Sequence, residues 1–337
     1  MKPSPTSQVR GALYLLALLL TPSGPALAQA VLFDVHNQHP LVQLHAPPAP
    51  GERAPVAPGQ WRWDLGLRLN NNSIQDGDAE AERIVLDGET YRSAFTVSRG
   101  LRPGLAVAAT VPLVAHSSGF MDGFITDWHD LWGLSNERRN AFENNQLDFS
   151  YLQDGAAQVA LRESARGLGD VRLDLDWHVR PAGQDQRSLV LRGGVKLPTG
   201  SSDRLLGSGG TDLSLQVLSS DHRSFAAWNV SLAWSLGALW LGESEVLDSM
   251  REDFVGIASA GLRWRMNPRF EAGMQVDLHT AVYDSELRAL GAGGIQLTTG
   301  VGLRLRDSSL VELAMLQNLR TDTIPDFGLY LGWRSAP

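Results

Sequence analysis

From Gln60 onward the chain alternates apolar and polar side chains, a period of two that gives a strand one face of each kind and that no amphipathic helix carries. In Trp61-Arg62-Trp63-Asp64-Leu65-Gly66-Leu67-Arg68-Leu69-Asn70 every odd position is apolar and every even one is polar or Gly. Residues 171–180, Val-Arg-Leu-Asp-Leu-Asp-Trp-His-Val-Arg, are equally strict, and Phe270 to His279 sets Phe, Ala, Met, Val and Leu against Glu, Gly, Gln, Asp and His. Runs of this kind predict twelve strands, near 60–70, 90–99, 104–114, 169–180, 188–198, 211–219, 224–235, 253–265, 269–280, 294–305, 310–318 and 326–334.

A soluble sandwich alternates too, so the solvent on the apolar side has to be read from other patterns. Connections 100–103, 181–187, 220–223, 266–268 and 306–309 are short, whereas 71–89, 115–168, 199–210, 236–252 and 281–293 are long. Outer-membrane barrels have this asymmetry, with tight periplasmic turns and longer external loops. With both termini periplasmic, every short turn falls on the periplasmic side. Aromatic side chains then sort to the two interfaces, where an apolar ring keeps a polar tip wet. Trp61, Trp63, Trp177, Trp228, Trp264, Phe270 and Trp333 fall at periplasmic strand ends, and Tyr91, Trp234, Phe254 and Phe327 at external ones. The fold expected is all-β: a closed antiparallel transmembrane β-barrel of about twelve strands. Closure removes sheet edges and pairs every backbone polar group inside hydrocarbon.

Several alternatives are excluded by composition. The chain has no Cys, hence no disulfide, no Cys-ligated metal and no lipidated N-terminal Cys. A formal charge of −8 without a Lys/Arg-rich tract argues against nucleic acid as a partner. Lys2 and Arg10 followed by the apolar run Gly11 to Leu20 predict a signal peptide over 1–28, cut after Ala28 or Ala30, since that run is too short to span a bilayer as a helix. Residues 31–59 hold Pro40, Pro47, Pro48, Pro50, Pro55 and Pro58 without strong periodicity, the pattern of an extended periplasmic or plug-like segment ahead of a barrel at 60–337.

His116-Ser117-Ser118-Gly119-Phe120-Met121-Asp122-Gly123-Phe124-Ile125 with Trp128-His129, the upstream Leu86-Asp87-Gly88-Glu89, and Lys196-Leu197-Pro198-Thr199-Gly200 with Gly207-Ser208-Gly209 resemble an uncharacterised outer-membrane barrel family of Gram-negative bacteria. The resemblance spans nearly all the mature chain. The Lys-Leu-Pro-Thr-Gly element is also similar to barrels encoded beside aromatic-degradation pathways. What the resemblance implies is an outer-membrane location and a barrel fold; it carries no catalytic residue over.

The inward faces carry lumen-lining candidates of both signs: Arg62, Asp64, Arg68, Asp174, Asp176, His178, Arg180, Arg192, Lys196, Asp277, His279 and Arg304, alongside Arg92, Asp170, Arg172, Glu271, Glu312 and Arg334. Such groups either form an ion-pair network that plugs the barrel or line a narrow solute path. Asp174, Asp176 and His178 share a face at the spacing of cation ligands, but Arg172 and Arg180 on that face neutralise them, so no metal and no cofactor is expected. The one helical pattern is Gly119 to Leu134, amphipathic and stopped at Gly133. Its Phe120, Phe124, Trp128 and Trp132 stripe reads either as packing on the barrel wall or mouth, or as an apolar gate in the long external loop. Residues 147–151 and 156–163 around Asp154-Gly155 predict a hairpin in the same loop. Gly207-Ser208-Gly209-Gly210 lacks the Lys-Ser/Thr of a phosphate loop and leads into a strand, so it reads as a turn. His178 and His279 point inward, away from where a lipid hydrolase needs them, so no catalysis is expected. The function expected is a channel or transporter for small or amphipathic solutes in outer-membrane lipid, against a plugged structural barrel or an outer-membrane lipid hydrolase.

Overall fold

The computed structural model describes residues 31–336 apart from 79–80, 133–144, 182–184, 320–322 and 326, so the expected signal peptide lies outside the described residues. Fifteen strands follow in order: β1 Trp61–Gly77, β2 Glu82–Arg102, β3 Leu105–Ser117, β4 Asp148–Gln153, β5 Ala156–Leu161, β6 Ala165–Leu168, β7 Val171–Arg180, β8 Leu189–Leu197, β9 Asp212–Phe225, β10 Val230–Trp240, β11 Phe254–Arg265, β12 Phe270–His279, β13 Gly294–Arg304, β14 Leu310–Asn318 and β15 Phe327–Arg334. Twelve of them, all but β4, β5 and β6, form a closed antiparallel ring, because β1 pairs with β2 on one side and with β15 on the other. The register Asp64↔Arg334 to Asn71↔Phe327 makes the seal. All twelve predicted strands are present.

Period two is what the two environments demand. The even positions of β7 are buried down to His178 while Leu173, Leu175, Trp177 and Val179 face out. The same exposed apolar belt continues through Leu215, Leu236, Met274, Val301, Leu313 and Leu331 around the ring. Apolar side chains turned outward in this number fit hydrocarbon, the solvent of a transmembrane barrel. No helix among the described residues is long and apolar enough to cross a membrane.

Three boundaries differ from the sequence expectation, each for a physical reason. The segment 71–89 is no loop: β1 and β2 stay paired from Asn71↔Glu89 to Gly77↔Arg83. Above the bilayer neither face meets lipid, so the alternation stops while the ladder continues. Residues 220–223 likewise belong to β9, and the turn falls at 226–229, because Asp221 and its neighbours form a polar strand end below the belt. That shift puts Trp234 inside β10 and brings Trp240, half exposed, to its external end. Phe327 is buried rather than lipid-facing, for it lies under the long loop.

That loop, between β3 and β7, supplies β4, β5, β6 and helix α1, Met121–Trp132. The predicted hairpin is β4–β5, turned by Asp154 and Gly155, both at positive φ as a tight two-residue turn requires. β4 adds to the raised edge of β2 through Glu82↔Gln153 to Asp87↔Asp148. Together these elements raise a wall above the barrel, and its inner side is apolar: Ile74, Ile84, Leu86, Phe149 and Tyr151 pack with Leu239, Leu241, Val282 and Leu290.

Candidate functional site

The lumen is filled by the chain's own N-terminal segment. Residues 31–58 run up the interior and back down as a hairpin, and nearly every residue from Val31 to Ala54 is buried or half-buried. The ascending leg is held at its carbonyls. Arg263 donates to Val31 O (3.0 Å), Arg334 to Leu32 O (2.8 Å) and Arg68 to Asp34 O. Gln275 accepts from Phe33 N (2.7 Å), and Asn37 Nδ2 reaches His279 Nε2 (2.8 Å) at the external end. The tip, with a 3-10 turn at Val42–His45, seats Leu41, Val42 and Leu44 in the apolar wall above the barrel. The descending leg returns past Lys196, which donates to Leu44 O (3.2 Å), and Arg192, which donates to Ala49 O (2.9 Å) and Gly51 O (3.2 Å). It leaves at the periplasmic side, where Pro58 bridges Gly100.

Prolines suit this course. A chain inside a barrel cannot complete a ladder, and Pro47, Pro48 and Pro50 present carbonyls without adding an amide that needs a partner. The wall answers with cations. Guanidinium groups carry several donors, so one arginine can hold a carboxylate and a plug carbonyl together.

Most of the candidate lining charges are consumed in this framework. Arg62 pairs with Asp64 (3.1 Å), Arg68 with Asp34 (3.1 Å), Arg172 with Asp174 (2.8 Å) and Arg192 with Asp176 (2.6 Å). Arg304 and Arg263 share Glu271 (3.2 and 3.1 Å), and Arg263 and Arg334 share Glu312 (2.7 and 2.8 Å). Asp174 and Asp176 also take Arg53 of the plug, at 2.6 and 3.0 Å, and no group of three or more metal-ligating side chains occurs among the described residues. His178 is buried. His279 donates from Nδ1 to Thr280 O (2.7 Å), which leaves Nε2 as the acceptor for Asn37. Asp277 accepts from Ser259 (2.6 Å) and Gln275 (2.9 Å). Arg180 is exposed at the periplasmic rim beside Asp185, past a register shift in β7, so it lines no lumen.

Lys196 is the centre of a latch. Its Nζ lies 2.9 Å from both Asp170 and Asp212 and also reaches Ser208. Asp170 accepts from Gly200 N (2.8 Å) and Ser208 N (3.1 Å), so the Lys-Leu-Pro-Thr-Gly and Gly-Ser-Gly elements close on one carboxylate. Asp212 in turn meets His45 Nδ1 of the plug tip at 3.1 Å, and His45 Nε2 meets the Tyr283 hydroxyl at 3.2 Å. In the external loops, burial raises the Tyr283 phenol, and burial with a hydrogen bond to Glu82 raises that of Tyr151. The sequence pattern did not single out His45, Arg53, Arg263 and Tyr283. The available signal for the first two was their polarity within an apolar, proline-rich segment.

Between the plug and the wall of β9–β13 lies a cavity. Its external part is mostly apolar, with Leu239, Leu241, Val255, Ile257, Val282 and Ile324 beside Asn37, His45 and His279; its inner end carries Gln216, Ser235, Ser259 and Asp277. Pro47, Pro48 and Pro50 of the plug form the opposite side.

The α1 helix sits outside the lumen. Met121 and Ile125 bury against Phe327, with Leu69, Met315 and Leu329, all on outward faces of β1, β14 and β15. Glu89 caps it, accepting from Phe120 N and Met121 N at 2.7 and 2.5 Å. Gly119, at positive φ, comes so close to the Glu89 carboxylate that a Cβ has no room. The Leu-Asp-Gly-Glu and Phe-Met-Asp-Gly elements thus meet as one helix cap. Phe120 is exposed beside it, on the barrel's exterior rather than over its mouth, while the side chains of Phe124, Trp128 and Trp132 lie outside the described residues.

Residues 13–336 match the family described as protein of unknown function, DUF3187, and the chain belongs to it. No curated protein matches significantly. Among solved structures, the COG4313 outer membrane channel from Pseudomonas putida F1 aligns over 84% of this chain and 97% of its own, at 12% identity and a TM-score of 0.55. The Pseudomonas putida toluene transporter TodX aligns over 90% and 99%, at 11% identity and a TM-score of 0.43. At such identities the first likeness is one of fold, the twelve-strand barrel.

Proposed function

We propose that this DUF3187 family member is an outer-membrane barrel, exported by a signal peptide at 1–28, that takes up small apolar or amphipathic solutes through a lumen regulated by its own N-terminal plug. The observation that carries this reading is the cavity between plug and wall, mostly apolar toward the outside and polar at its inner end. Small-molecule sites are concave, mostly apolar and furnished with a few placed polar groups. A solute with an apolar body and one polar end fits that distribution. The likeness to an outer membrane channel is in keeping with the reading but adds only the fold. No step of bond chemistry is called for, and the chain is read as non-enzymatic. The amphipathic α1, laid on the outer wall with Phe120 exposed, is read as an anchor in the outer leaflet.

Ser235, on the inward face of β10 and in the cavity lining, provides the test. Ser235→Trp fills the space without touching the ion-pair framework. A fluorescent naphthylamine probe is expected to saturate one site on the purified barrel, and Ser235→Trp to abolish that binding while the barrel keeps its heat-modifiable gel mobility. Probe binding that survives the substitution refutes the assignment. The fixed structural barrel remains a specific rival, favoured by the number of plug carbonyls held by wall cations; conductance that never departs from baseline under any perturbation of the plug would favour it.

A further inference from the structure

On the other side of the plug from the apolar cavity, the wall of β1, β2 and β3 faces a second cavity, lined by Arg53, Arg68, Arg92 and Arg172. Its charges do not balance. Arg53 and Arg172 are taken by Asp174 and Asp176, and Arg68 by Asp34. Among the described residues, Arg92 alone of the buried wall cations has no carboxylate within ion-pair distance, and its Nε has no hydrogen-bond partner. Arg68 and Arg92 are direct cross-strand neighbours, and Arg68 Nη1 is also without a partner. Like charges placed opposite one another on a sheet repel. A guanidinium does not shed its proton to escape a buried site, so the arrangement needs an anion.

We propose that this cavity is an anion-binding site, and that its ligand is a small organic monocarboxylate. The planar carboxylate matches the guanidinium fork with two parallel hydrogen bonds. Ala46, Pro47 and Ala49 of the plug and Ala94 of the wall supply apolar contact for an organic body, which a bare inorganic anion does not use. Asp34, in the same lining, disfavours a dianion. Thr96 and Thr110, hydrogen-bonded to each other at 2.8 Å, border the site with hydroxyls. This inference stands apart from solute passage: it holds whether the bound carboxylate crosses the barrel or stays as a resident counterion beside the plug.

The test uses the full mature chain in detergent, titrated calorimetrically with benzoate, benzyl alcohol and inorganic phosphate. Benzoate is expected to bind saturably at one site and to raise the thermal unfolding midpoint, with benzyl alcohol silent and phosphate weaker. Arg92→Gln is expected to weaken benzoate about tenfold or more, the loss of a charge-assisted pair. Arg92→Lys, which keeps the charge and loses the fork, is expected to fall between the two. In carboxylate-free buffer Arg92→Gln should melt no lower than the parent, because it relieves the repulsion with Arg68; a residue that merely braces the fold would lower it. Absence of saturable benzoate binding, benzoate affinity unchanged in both Arg92 variants, or phosphate binding tighter than benzoate would each overturn the proposal.

Discussion

Replacing Lys196 with Met removes the one cation between two buried carboxylates. Both Asp170 and Asp212 lie 2.9 Å from its Nζ, and their side chains are almost fully shielded from solvent. Removing one partner of a buried pair costs about 3–5 kcal/mol, because the remaining charge is stranded. Where that cost appears depends on what is free to move. Asp170, just ahead of β7, and Asp212, at the start of β9, are held by the ring, whereas the plug tip is held through Lys196 to Leu44 O and through Asp212 to His45. Opening the tip admits water to both carboxylates, so the loss should fall on plug docking rather than on the barrel. About 3 kcal/mol corresponds to more than a hundredfold rise in the open population. Native-state hydrogen exchange reads this directly at the amides of Gln43 and Ala46, which close the tip by bonding His39 O and Gln43 O. Their exchange should accelerate at least a hundredfold while amides of the β11–β12 ladder are unchanged, and single-channel recordings should show openings absent from the parent. Lys196→Met combined with Asp212→Asn should recover part of the loss. Unchanged exchange at the tip, or equal acceleration across the strands, would refute a latch local to the plug.

Two shorter predictions check the wall and the helix. Leu175→Arg, on the outward face near the middle of β7, should lower unfolding stability by about 2–4 kcal/mol in a lipid-based denaturant titration; no loss would mean that this face does not meet hydrocarbon. Glu89→Ala should strip the cap from α1 at a cost of about 1–2 kcal/mol, seen as faster exchange of the Phe120 and Met121 amides with barrel mobility on gels intact. Unaltered exchange there would remove Glu89 from the cap.

The twelve strands were legible because lipid on one side and a polar lumen on the other write a period of two into the chain. Legibility stopped where that contrast stops. Asn70, Asn71, Asn72 and Ser73 are consecutive buried polar residues in a paired strand, since at that height β2, the long loop and the plug all surround β1. No alternation marks them, and the run reads as loop. The aromatic bands were sound where strand ends were sound, and the ladder beyond Asp221 moved the external end of β10 from Trp234 to Trp240. Most inward charges were identifiable from parity, although Arg180 falls at the rim and Arg263 was passed over; their pairing was not. Arg263 and Glu271 approach each other across neighbouring strands, as do Glu312 and Arg334, but Arg263 reaches Glu312 only because the sheet curls β11 toward β14. The path of the plug was not legible at all. It is held by its carbonyls, which every residue has.

That last feature bears on how the plug can serve a conduit. Wall cations such as Arg263, Arg334 and Arg192 each keep a carboxylate partner of their own on the strands, and their bonds to Val31, Leu32, Ala49 and Gly51 are additional. When the plug withdraws, these arginines stay paired and exchange a carbonyl for water, a trade in which the net value of one hydrogen bond is only about 0.5–1.5 kcal/mol. The exceptions are Arg53, which carries its charge with the plug and leaves Asp174 and Asp176 to Arg172 and Arg192, Asp34, which is the carboxylate partner of Arg68, and His45 at the latch. Undocking is therefore resisted at three points of charge and by the apolar seat of Leu41, Val42 and Leu44, with weak neutral contacts between. A hairpin pinned at few sites, in a wall where most ion pairs stay intact without it, is suited to local displacement by a solute entering beside Pro47 and Pro48, where the cavity already separates it from the strands.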